Sequence, residues 1–192
     1  MHEKRFKHTE SHKLEDPERL IWLPPGEVIA HLGLRPGIRV VDIGAGTGYF
    51  AIPIAREILP GGRVTALDVE AEMLAKLKAK LDLPDAPGNI DLVQGEAENT
   101  TLESGCYDVV LLAQIWHEID DRKAALAEAR RILGRDGRIA ILDWRPDADR
   151  PPGPKIEHRI PAEAARAELT ESGWLVDHQS NIGQYSYLIV AH

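Results

Sequence analysis

The segment 38–50, IRVVDIGAGTGYF, constrains the fold more than any other part of the chain. Its first half is a run of β-branched residues that ends in glycine, which is typical of a strand buried on both faces of a parallel sheet. The glycines that follow allow a turn with positive φ or a close approach of the backbone to a ligand. Apolar residues at helical spacing come next, so the segment predicts strand, tight turn and helix, the unit of an α/β fold.

The same alternation of strand and helix continues along the chain. The predicted elements are helix 26–33, strand 38–43, helix 49–59, strand 63–69, helix 71–81, strands 90–95 and 107–113, helix 122–133, strand 137–144, helix 162–173, and strands 174–180 and 185–192. Only four residues join the last two strands, so these strands must be antiparallel. Repeated strand–helix–strand units predict a mostly parallel, Rossmann-like sheet with helices on both faces and a ligand at the carboxyl ends of the strands.

Length and composition predict one domain. The chain has 192 residues, of which 43% are apolar, and this is enough for a single core. We expect residues 1–25 to form an amino-terminal arm that packs on a domain spanning 26–192. The segment 145–160 is rich in proline and charge and is a candidate lid over the ligand.

Charge and cysteine content narrow the partners and the compartment. The net charge is −8, which disfavours nucleic-acid partners because phosphate backbones would be repelled. The single cysteine, Cys106, favours a reducing compartment and excludes an intramolecular disulfide or a cysteine-based zinc site. The longest nearly apolar run, 109–116, is too short to cross a membrane. We therefore expect a cytoplasmic protein without membrane insertion or bound metal, and either a monomer or a homodimer.

Three strand ends carry the candidate ligand-binding residues. Asp42 stands beside the glycine turn, where its charge would repel a pyrophosphate but suits a cationic group. Asp68 lies 68 − 48 = 20 residues beyond the last glycine of the turn, near the offset at which an acid accepts from ribose hydroxyls. A helix-capping role for Asp68 is the alternative. Val69 and Met73 would offer a purine an apolar face.

The third strand end, at 94–99, completes this set. Glu96 would accept from an exocyclic amine, and the backbone of Ala97 would meet a ring nitrogen of the base. Together the three strand ends predict pockets for an amino acid, a ribose and a base, as in a nucleoside that carries an ammonium group.

At this point the sequence resembles the class I S-adenosylmethionine-dependent methyltransferases, and most closely their ubiquinone-biosynthesis-like and arsenite-methyltransferase-like small-molecule subgroup. The segments that carry the resemblance are VVDIGAGTGYF, VTALDVEAEML, VQGEAEN, YDVVLLAQIWHEIDD and ARRILGRDGRIAILDW. The resemblance implies a seven-stranded sheet of order 3-2-1-4-5-7-6 with strand seven antiparallel, and S-adenosylmethionine as cofactor with S-adenosylhomocysteine as product. It further implies that the methionine part binds at Asp42, Gly44, Ala45 and Gly46, the ribose at Asp68, the adenine at Val69, Met73, Glu96 and Ala97, and the amino group at the backbone of Ala113 and Gln114.

Departures from the family narrow the acceptor. Arsenite methylation in that family relies on several cysteines, and Cys106 alone stands at the wrong end of its strand. No Asn-Pro-Pro-Tyr motif follows the fourth strand, which counts against acceptors with a planar amino group. The acidic surface leaves a small molecule as the expected acceptor.

His117, just past the fourth strand, is the candidate catalytic residue. Methyl transfer from a sulfonium needs alignment and exclusion of water, and a base only when the acceptor carries a proton. His117 would be that base, and a backbone hydrogen bond is its alternative role. Trp22, Leu23 and Pro24 would either cover the cofactor or anchor the arm on the core. His158 and Arg159 would face the acceptor if their loop closed and would otherwise be solvated, and Tyr185 and Tyr187 would pack within the sheet.

Two other function classes remain open from the sequence. A nicotinamide-dependent oxidoreductase would use a similar sheet, although the Gly-x-Gly-x-Gly spacing and the antiparallel end count against it. A noncatalytic S-adenosylmethionine-binding protein would retain the fold without turnover.

Overall fold

The computed structural model describes residues 8–148 and 152–192, which form a single seven-stranded sheet with helices on both faces. The strand order is β3-β2-β1-β4-β5-β7-β6. Strand β7 pairs antiparallel with both of its neighbours, whereas the other pairs are parallel. The predicted fold class, strand order and antiparallel strand are therefore confirmed.

The elements follow the predicted alternation. The strands are β1 Arg39–Ile43, β2 Arg63–Asp68, β3 Ile90–Gln94, β4 Tyr107–Ala113, β5 Leu133–Trp144, β6 Val176–Ile182 and β7 Ser186–Ala191. The α-helices are α1 Arg19–Trp22, α2 Pro25–Ile29, α3 Ala51–Glu57, α4 Ala71–Leu81, α5 Arg122–Ile132 and α6 Ala162–Glu171, and 3₁₀ helices span His8–Glu15 and Ile156–His158.

The inner strands of the sheet are buried on both faces, as their apolar runs predicted, whereas the edge strands β3 and β6 are partly exposed. Along β1, Val40 belongs to one apolar cluster and Val41 to the other, and Val109 and Val110 divide in the same way along β4. Because successive residues of a strand point to opposite faces, one continuous apolar run supplies both cores. A ligand can therefore reach the ends of these strands but not their faces.

Local differences from the predicted elements have simple causes. The helix predicted at 49–59 is shorter, Ala51–Glu57, and Pro53 stands at its third residue, where a backbone N–H would have no partner within the helix. The strand predicted at 137–144 begins earlier: Leu133 pairs with Tyr107 before the register shifts. The helix predicted at 26–33 ends at Ile29 and continues as turns.

The amino-terminal segment lies against the sheet end that carries the glycine turn. Glu15 accepts hydrogen bonds from Thr47 Oγ1 and from Lys80 Nζ, the latter at 2.7 Å, and Leu23 is fully buried in the core. Residues 1–7 of the predicted arm, and residues 149–151 of the candidate lid, lie outside the described residues. The division into arm and domain stays a prediction, as does the lid.

Two properties of the described residues bear on partners. None of their helices is long and apolar enough to cross a membrane. They also contain no group of three or more histidine, cysteine or acidic side chains arranged to hold a metal ion.

Candidate active site

A cavity of about 1080 Å³ opens at the carboxyl ends of the strands, beside β1 and β4 where the strand order reverses direction. This is where a doubly wound sheet leaves a crevice for a ligand. The cavity is slightly larger than the roughly 300–1,000 Å³ of an ordinary ligand site, so it has room for two small molecules. Every predicted site residue lines it: Asp42, Gly44, Ala45, Gly46, Asp68, Val69, Met73, Glu96, Ala97, Ala113, Gln114 and His117. The structure thus brings all of them together, and the ligand assigned to each stays a prediction.

The glycine turn after β1 requires glycine at its first position. Gly44 has φ +74, and a Cβ there would lie 2.5 Å from Cγ2 of Ile115. The N–H groups of Gly44 and Ala45 donate to the carbonyl of Leu67, at 2.7 and 3.0 Å. The turn is therefore fixed to the end of β2, and the strand ends of β1 and β2 are held as one unit.

Asp68 is held by the backbone on both sides. Its Oδ2 accepts from the N–H of Gly46 at 2.8 Å, and its Oδ1 accepts from the N–H of Glu70 at 2.9 Å. The carboxylate therefore orders the entrance to helix α4, without capping the helix itself, whose N-cap Glu70 has no side-chain cap. Each oxygen keeps a further lone pair for a ligand hydroxyl. Burial raises the pKa of Asp68, against the hydrogen bonds from Glu70 and Gly46.

Asp42 is fully buried and neither of its carboxylate oxygens has a hydrogen-bond partner among the described residues. Burial, reinforced by the charge of Asp68, raises its pKa to about 7, while the backbone N–H of Ala51, which is near the carboxylate but outside hydrogen-bond geometry, and the positive charge of Arg19 act against the rise. Buried polar groups are almost always paired. An orphaned carboxylate lining a cavity is therefore the feature expected of a subsite for a cationic ligand group.

Gln114 follows β4 with φ +59, in the left-handed region that few residues other than glycine adopt. Its N–H donates to the carbonyl of Leu142 at 2.6 Å. Such conformations are rare away from functional sites because the surrounding structure must hold them in place. Ala113 and Gln114 thus stand at the cavity in a fixed backbone geometry.

His117 is paired with a carboxylate that the sequence did not reveal as its partner. Nδ1 of the imidazole lies 2.8 Å from Oδ1 of Asp143, and the backbone N–H of His117 donates to Oδ2 of Asp143 at 2.8 Å. Asp143 is the penultimate residue of β5 and is completely buried. Burial opposes protonation of His117, but the hydrogen bond and charge of Asp143, helped by Glu118, outweigh it and raise the pKa of the imidazole.

An aromatic wall, formed by Trp22, Trp144 and Tyr185, lines the cavity beyond β5. The ring centroids of Trp22 and Trp144 are 5.4 Å apart, and those of Trp22 and Tyr185 are 6.0 Å apart. Gly153 packs on the indole of Trp144, where a Cβ would lie 2.9 Å from the ring. Trp22 lines the cavity, and whether it covers the cofactor stays a prediction. The prediction that Tyr185 packs in the sheet is wrong, because Tyr185 stands in the turn before β7 and lines the cavity.

Arg19 also lines the cavity, and sequence reasoning missed it. It belongs to a highly charged amino-terminal segment in which nothing distinguishes one basic residue from its neighbours. Only the fold shows that its side chain is buried, with 6% of its surface exposed. His158 lines the cavity from the loop before α6, and Arg159 beside it is buried against the carbonyls of Pro154 and Arg145.

Comparison with known proteins places the chain in a family. Residues 41–141, which include the glycine turn, all of β2, β3 and β4 and parts of β1 and β5, match the family described as "Methyltransferase domain". The chain belongs to this methyltransferase family. The match decides between the two enzyme classes left open by the sequence, against the nicotinamide-dependent oxidoreductase.

Solved and characterised relatives agree with the family. The chain is 26% identical to an S-adenosylmethionine-dependent methyltransferase from Aquifex aeolicus, with a TM-score of 0.91 over 97% of this chain and 98% of the other. It is 31% identical to the ubiquinone/menaquinone biosynthesis C-methyltransferase of Shewanella halifaxensis over 60% of this chain and 46% of the relative. It is 30% identical to the enzyme of that name from Francisella philomiragia over 62% of this chain and 47% of the relative. The chain therefore spans about half the length of these two C-methyltransferases.

The cavity fits S-adenosylmethionine, the cofactor of this class of methyltransferase. On the predicted assignment, Asp42 would offer its two unpartnered oxygens to a cationic group, and Asp68 would offer oriented oxygens to the ribose. Gly44 and Gly46, both at positive φ, line the cavity without side chains of their own. S-adenosylmethionine is the cofactor of the methyltransferase class to which the chain belongs, so the predicted cofactor is confirmed.

Proposed function

We propose that this chain transfers a methyl group from S-adenosylmethionine to a hydroxyl-bearing, planar small molecule, with His117 as the general base. The observation that carries the proposal is the buried His117–Asp143 pair at the cavity that also holds the cofactor residues. When bound, S-adenosylmethionine supplies an electrophilic methyl group on a sulfonium. The contribution of the protein is to bind, to orient, to exclude water and to move a proton.

The sheet order divides the cavity into two halves. The carboxyl ends of β1, β2 and β3 carry Asp42, Asp68 and, just beyond β3, Glu96, which suit the cofactor. The carboxyl ends of β4 and β5 lead to His117 and Trp144. Because β1 and β4 are neighbours, the two halves meet side by side. A donor in the first half would therefore face an acceptor in the second.

His117 has the geometry of a base. With Nδ1 donating its proton to Asp143, Nε2 carries the lone pair, because a neutral imidazole has one donor and one acceptor nitrogen. Nε2 would take the proton of the acceptor's hydroxyl while the acceptor atom forms its bond to the methyl group and the sulfur–methyl bond breaks. Asp143 would stabilise the imidazolium that results.

The aromatic wall supports a planar acceptor. Indole and phenol rings pack favourably against other flat rings by stacking or edge contact, and Trp22, Trp144 and Tyr185 line one side of the cavity. The relatives named for ubiquinone and menaquinone biosynthesis are C-methyltransferases, and hydroxylated aromatic acceptors are the natural first compounds to assay. Removal of a hydroxyl proton would serve either O-methylation or C-methylation at a neighbouring ring carbon, and in the second case the ring carbon would afterwards lose its own proton to solvent as the aromatic ring is restored.

Binding and turnover test the proposal separately. Calorimetry should show micromolar binding of S-adenosylmethionine and S-adenosylhomocysteine, with NAD and NADP as controls that do not bind. Incubation with isotope-labelled S-adenosylmethionine and a panel of hydroxylated aromatic compounds, including quinols, should then transfer label to at least one of them. Cofactor binding without transfer to any hydroxylated or amine acceptor would favour the noncatalytic alternative. Transfer to aliphatic amines alone would contradict the proposed acceptor.

A further inference from the structure

We propose that Arg19 binds the carboxylate of the amino-acid end of the cofactor, which makes the amino-terminal segment 8–19 part of the cofactor site. This inference rests on S-adenosylmethionine as the ligand of the cavity and does not depend on the acceptor. It identifies a binding residue that lies outside the matched family segment 41–141.

Every hydrogen-bond partner of Arg19 among the described residues is uncharged. Nη1 donates to the carbonyl of Leu14 at 3.3 Å, and Nη2 donates to Oε1 of Gln114 at 3.0 Å. The guanidinium lies over the ring of Tyr49, with Cζ 3.9 Å from its centroid. Nε is buried and has no partner. The side chain is therefore held in place from several sides while one of its donors is left unused.

The charge of Arg19 is also unpaired. Burial lowers its pKa to about 10, so the guanidinium remains positively charged at neutral pH. In the part of the chain that the structure describes, no carboxylate forms an ion pair with it, and Glu15 and Asp42 interact with it only at longer range. A buried charge without a counter-charge is unfavourable. An anionic ligand group in the cavity would remove that cost.

The two lysine side chains that line the cavity do not share these properties of Arg19. Lys13 is exposed and paired with Glu10, and Lys155 is exposed and lies 3.7 Å from Glu157. Among the described arginine and lysine residues that line the cavity, Arg19 alone is buried without a carboxylate partner. It is the cation best placed to contribute binding specificity rather than solubility.

Arg19 and Asp42 together match a zwitterion. The cavity contains one buried carboxylate whose two oxygens have no partner and one buried guanidinium whose Nε has none. An α-amino acid carries one ammonium and one carboxylate, and S-adenosylmethionine ends in such a group. Arginine suits carboxylates in particular because its planar fork can donate two parallel hydrogen bonds.

The position of Arg19 is set by the protein and not by the ligand. Just before it in the chain, Glu15 accepts from Thr47 in the glycine turn and from Lys80 in helix α4. These contacts fasten the segment to the same turn that borders the amino-acid end of the predicted site. The site is thus largely pre-organised, which limits the ordering cost of binding.

The test compares two ligands that differ only in the carboxylate. Calorimetry on the full chain would measure the affinity of S-adenosylmethionine and of decarboxylated S-adenosylmethionine for the wild type, Arg19→Gln and Arg19→Lys. We expect Arg19→Gln to weaken S-adenosylmethionine by about tenfold or more, as for loss of a charge-assisted hydrogen bond. Its affinity for the decarboxylated ligand should stay at the wild-type value. Arg19→Lys should recover part of the loss, since it restores the charge without the fork.

A matched control separates ligand recognition from structural damage. Asp68→Asn should weaken both ligands equally, because both contain the ribose. Equal weakening of both ligands by Arg19→Gln would overturn the inference and make Arg19 a structural residue of the segment. Unchanged affinity for both ligands would overturn it as well. Failure of the wild type to bind S-adenosylmethionine would instead overturn the cofactor assignment, so the two failures are distinguishable.

Discussion

The two halves of the cavity are built in different ways. In the cofactor half, the critical groups lie close together in sequence: Asp42, Gly44 and Gly46 belong to one turn, and Asp68 ends the next strand and accepts from Gly46. In the acceptor half, His117 depends on Asp143, 26 residues away, and the aromatic wall joins Trp22 to Tyr185. The cofactor half is therefore a local motif, whereas the acceptor half is a product of tertiary assembly.

This difference predicts that the halves can be damaged independently. Variants in the acceptor half should reduce turnover and leave cofactor affinity intact, and variants in the cofactor half should do the reverse. Four changes, from the largest expected effect to the smallest, examine that independence.

The largest effect is expected from His117→Ala. Loss of a general base costs about 10²–10⁴-fold in rate, so kcat on an identified hydroxylated acceptor should fall within this range. Affinity for S-adenosylhomocysteine should not change, because His117 does not contribute to the cofactor half. Rate measurements with labelled S-adenosylmethionine and calorimetry on the same preparation check both statements. Glu118→Gln, at a neighbouring cavity residue 3.6 Å from Nε2 of His117, is the matched control and should alter kcat far less.

The second effect concerns pH and comes from Asp143→Asn. In the wild type, Asp143 raises the pKa of His117, and a base acts only when it is neutral, so activity should rise as pH increases through this raised pKa. The variant should move the rising limb to lower pH and reduce the maximal rate, because the imidazolium loses its counter-charge. NMR titration of the His117 ring would report the same shift without any acceptor. If the rising limb of the pH–rate profile did not move in the variant, Asp143 would serve only to hold the backbone N–H of His117.

The same pair links stability to pH. Because the folded-state pKa of His117 is raised above its reference value of 6.5, protonation stabilises the folded state. This contribution is fully present below pH 6.5 and is lost as pH rises through the folded-state pKa. Urea unfolding across this interval should show the dependence in the wild type and a weaker one in Asp143→Asn.

The same contrast explains why the cofactor half was easier to predict from the sequence than the acceptor half. The strand order, the glycine turn, Asp42 and Asp68 could be inferred from sequence because a turn that must admit positive φ leaves glycines at fixed spacing. His117 could be placed because it follows a strand that ends at the ligand. The sequence placed Asp143 near the end of β5 but did not reveal its partner. Its pairing with His117 depends on the adjacent parallel strands β4 and β5.

Arg19 and Tyr185 could not be recognised for a related reason. Arg19 comes from a charged segment without hydrophobic periodicity, and burial of its side chain depends on packing against Tyr49 and Gln114. Tyr185 was assigned to the last strand, which begins at Ser186. Because the strand begins one residue later than predicted, the ring of Tyr185 lies at the cavity and not in the sheet.

The third effect tests the cofactor half through Asp68→Ala. Loss of the carboxylate removes the expected acceptor for the ribose hydroxyls and releases the N–H of Gly46. We expect cofactor affinity to fall by about 1 kcal/mol or more. Calorimetry measures this directly, and circular dichroism should show that the fold is intact. Unchanged affinity would remove Asp68 from the site.

The smallest effect is expected from pH on cofactor binding, and it tests whether Asp42 meets the ammonium. The pKa of Asp42 is raised to about 7 in the free protein, so its carboxyl is largely protonated at pH 6. The ammonium prefers the ionised form, and binding near pH 7 should therefore release a proton. Affinity for S-adenosylhomocysteine should fall by about fivefold as pH drops from 7 to 6, because the ionised fraction of a carboxyl with a pKa of about 7 falls from about one half to about one tenth.

Proton release can be measured by calorimetry in buffers of different ionisation enthalpy, and Asp42→Asn is the matched variant. The variant should bind more weakly at pH 7.5 and lose both the proton release and most of the pH dependence. Methylthioadenosine, which lacks the ammonium, should show neither effect with the wild type. If binding released no proton while Asp68→Ala still weakened it, the ribose would remain assigned and the ammonium would have to lie elsewhere, with the backbone at Ala113 and Gln114 as the remaining candidate. The cofactor half would then depend on β4 as well, and its separation from the acceptor half would be incomplete.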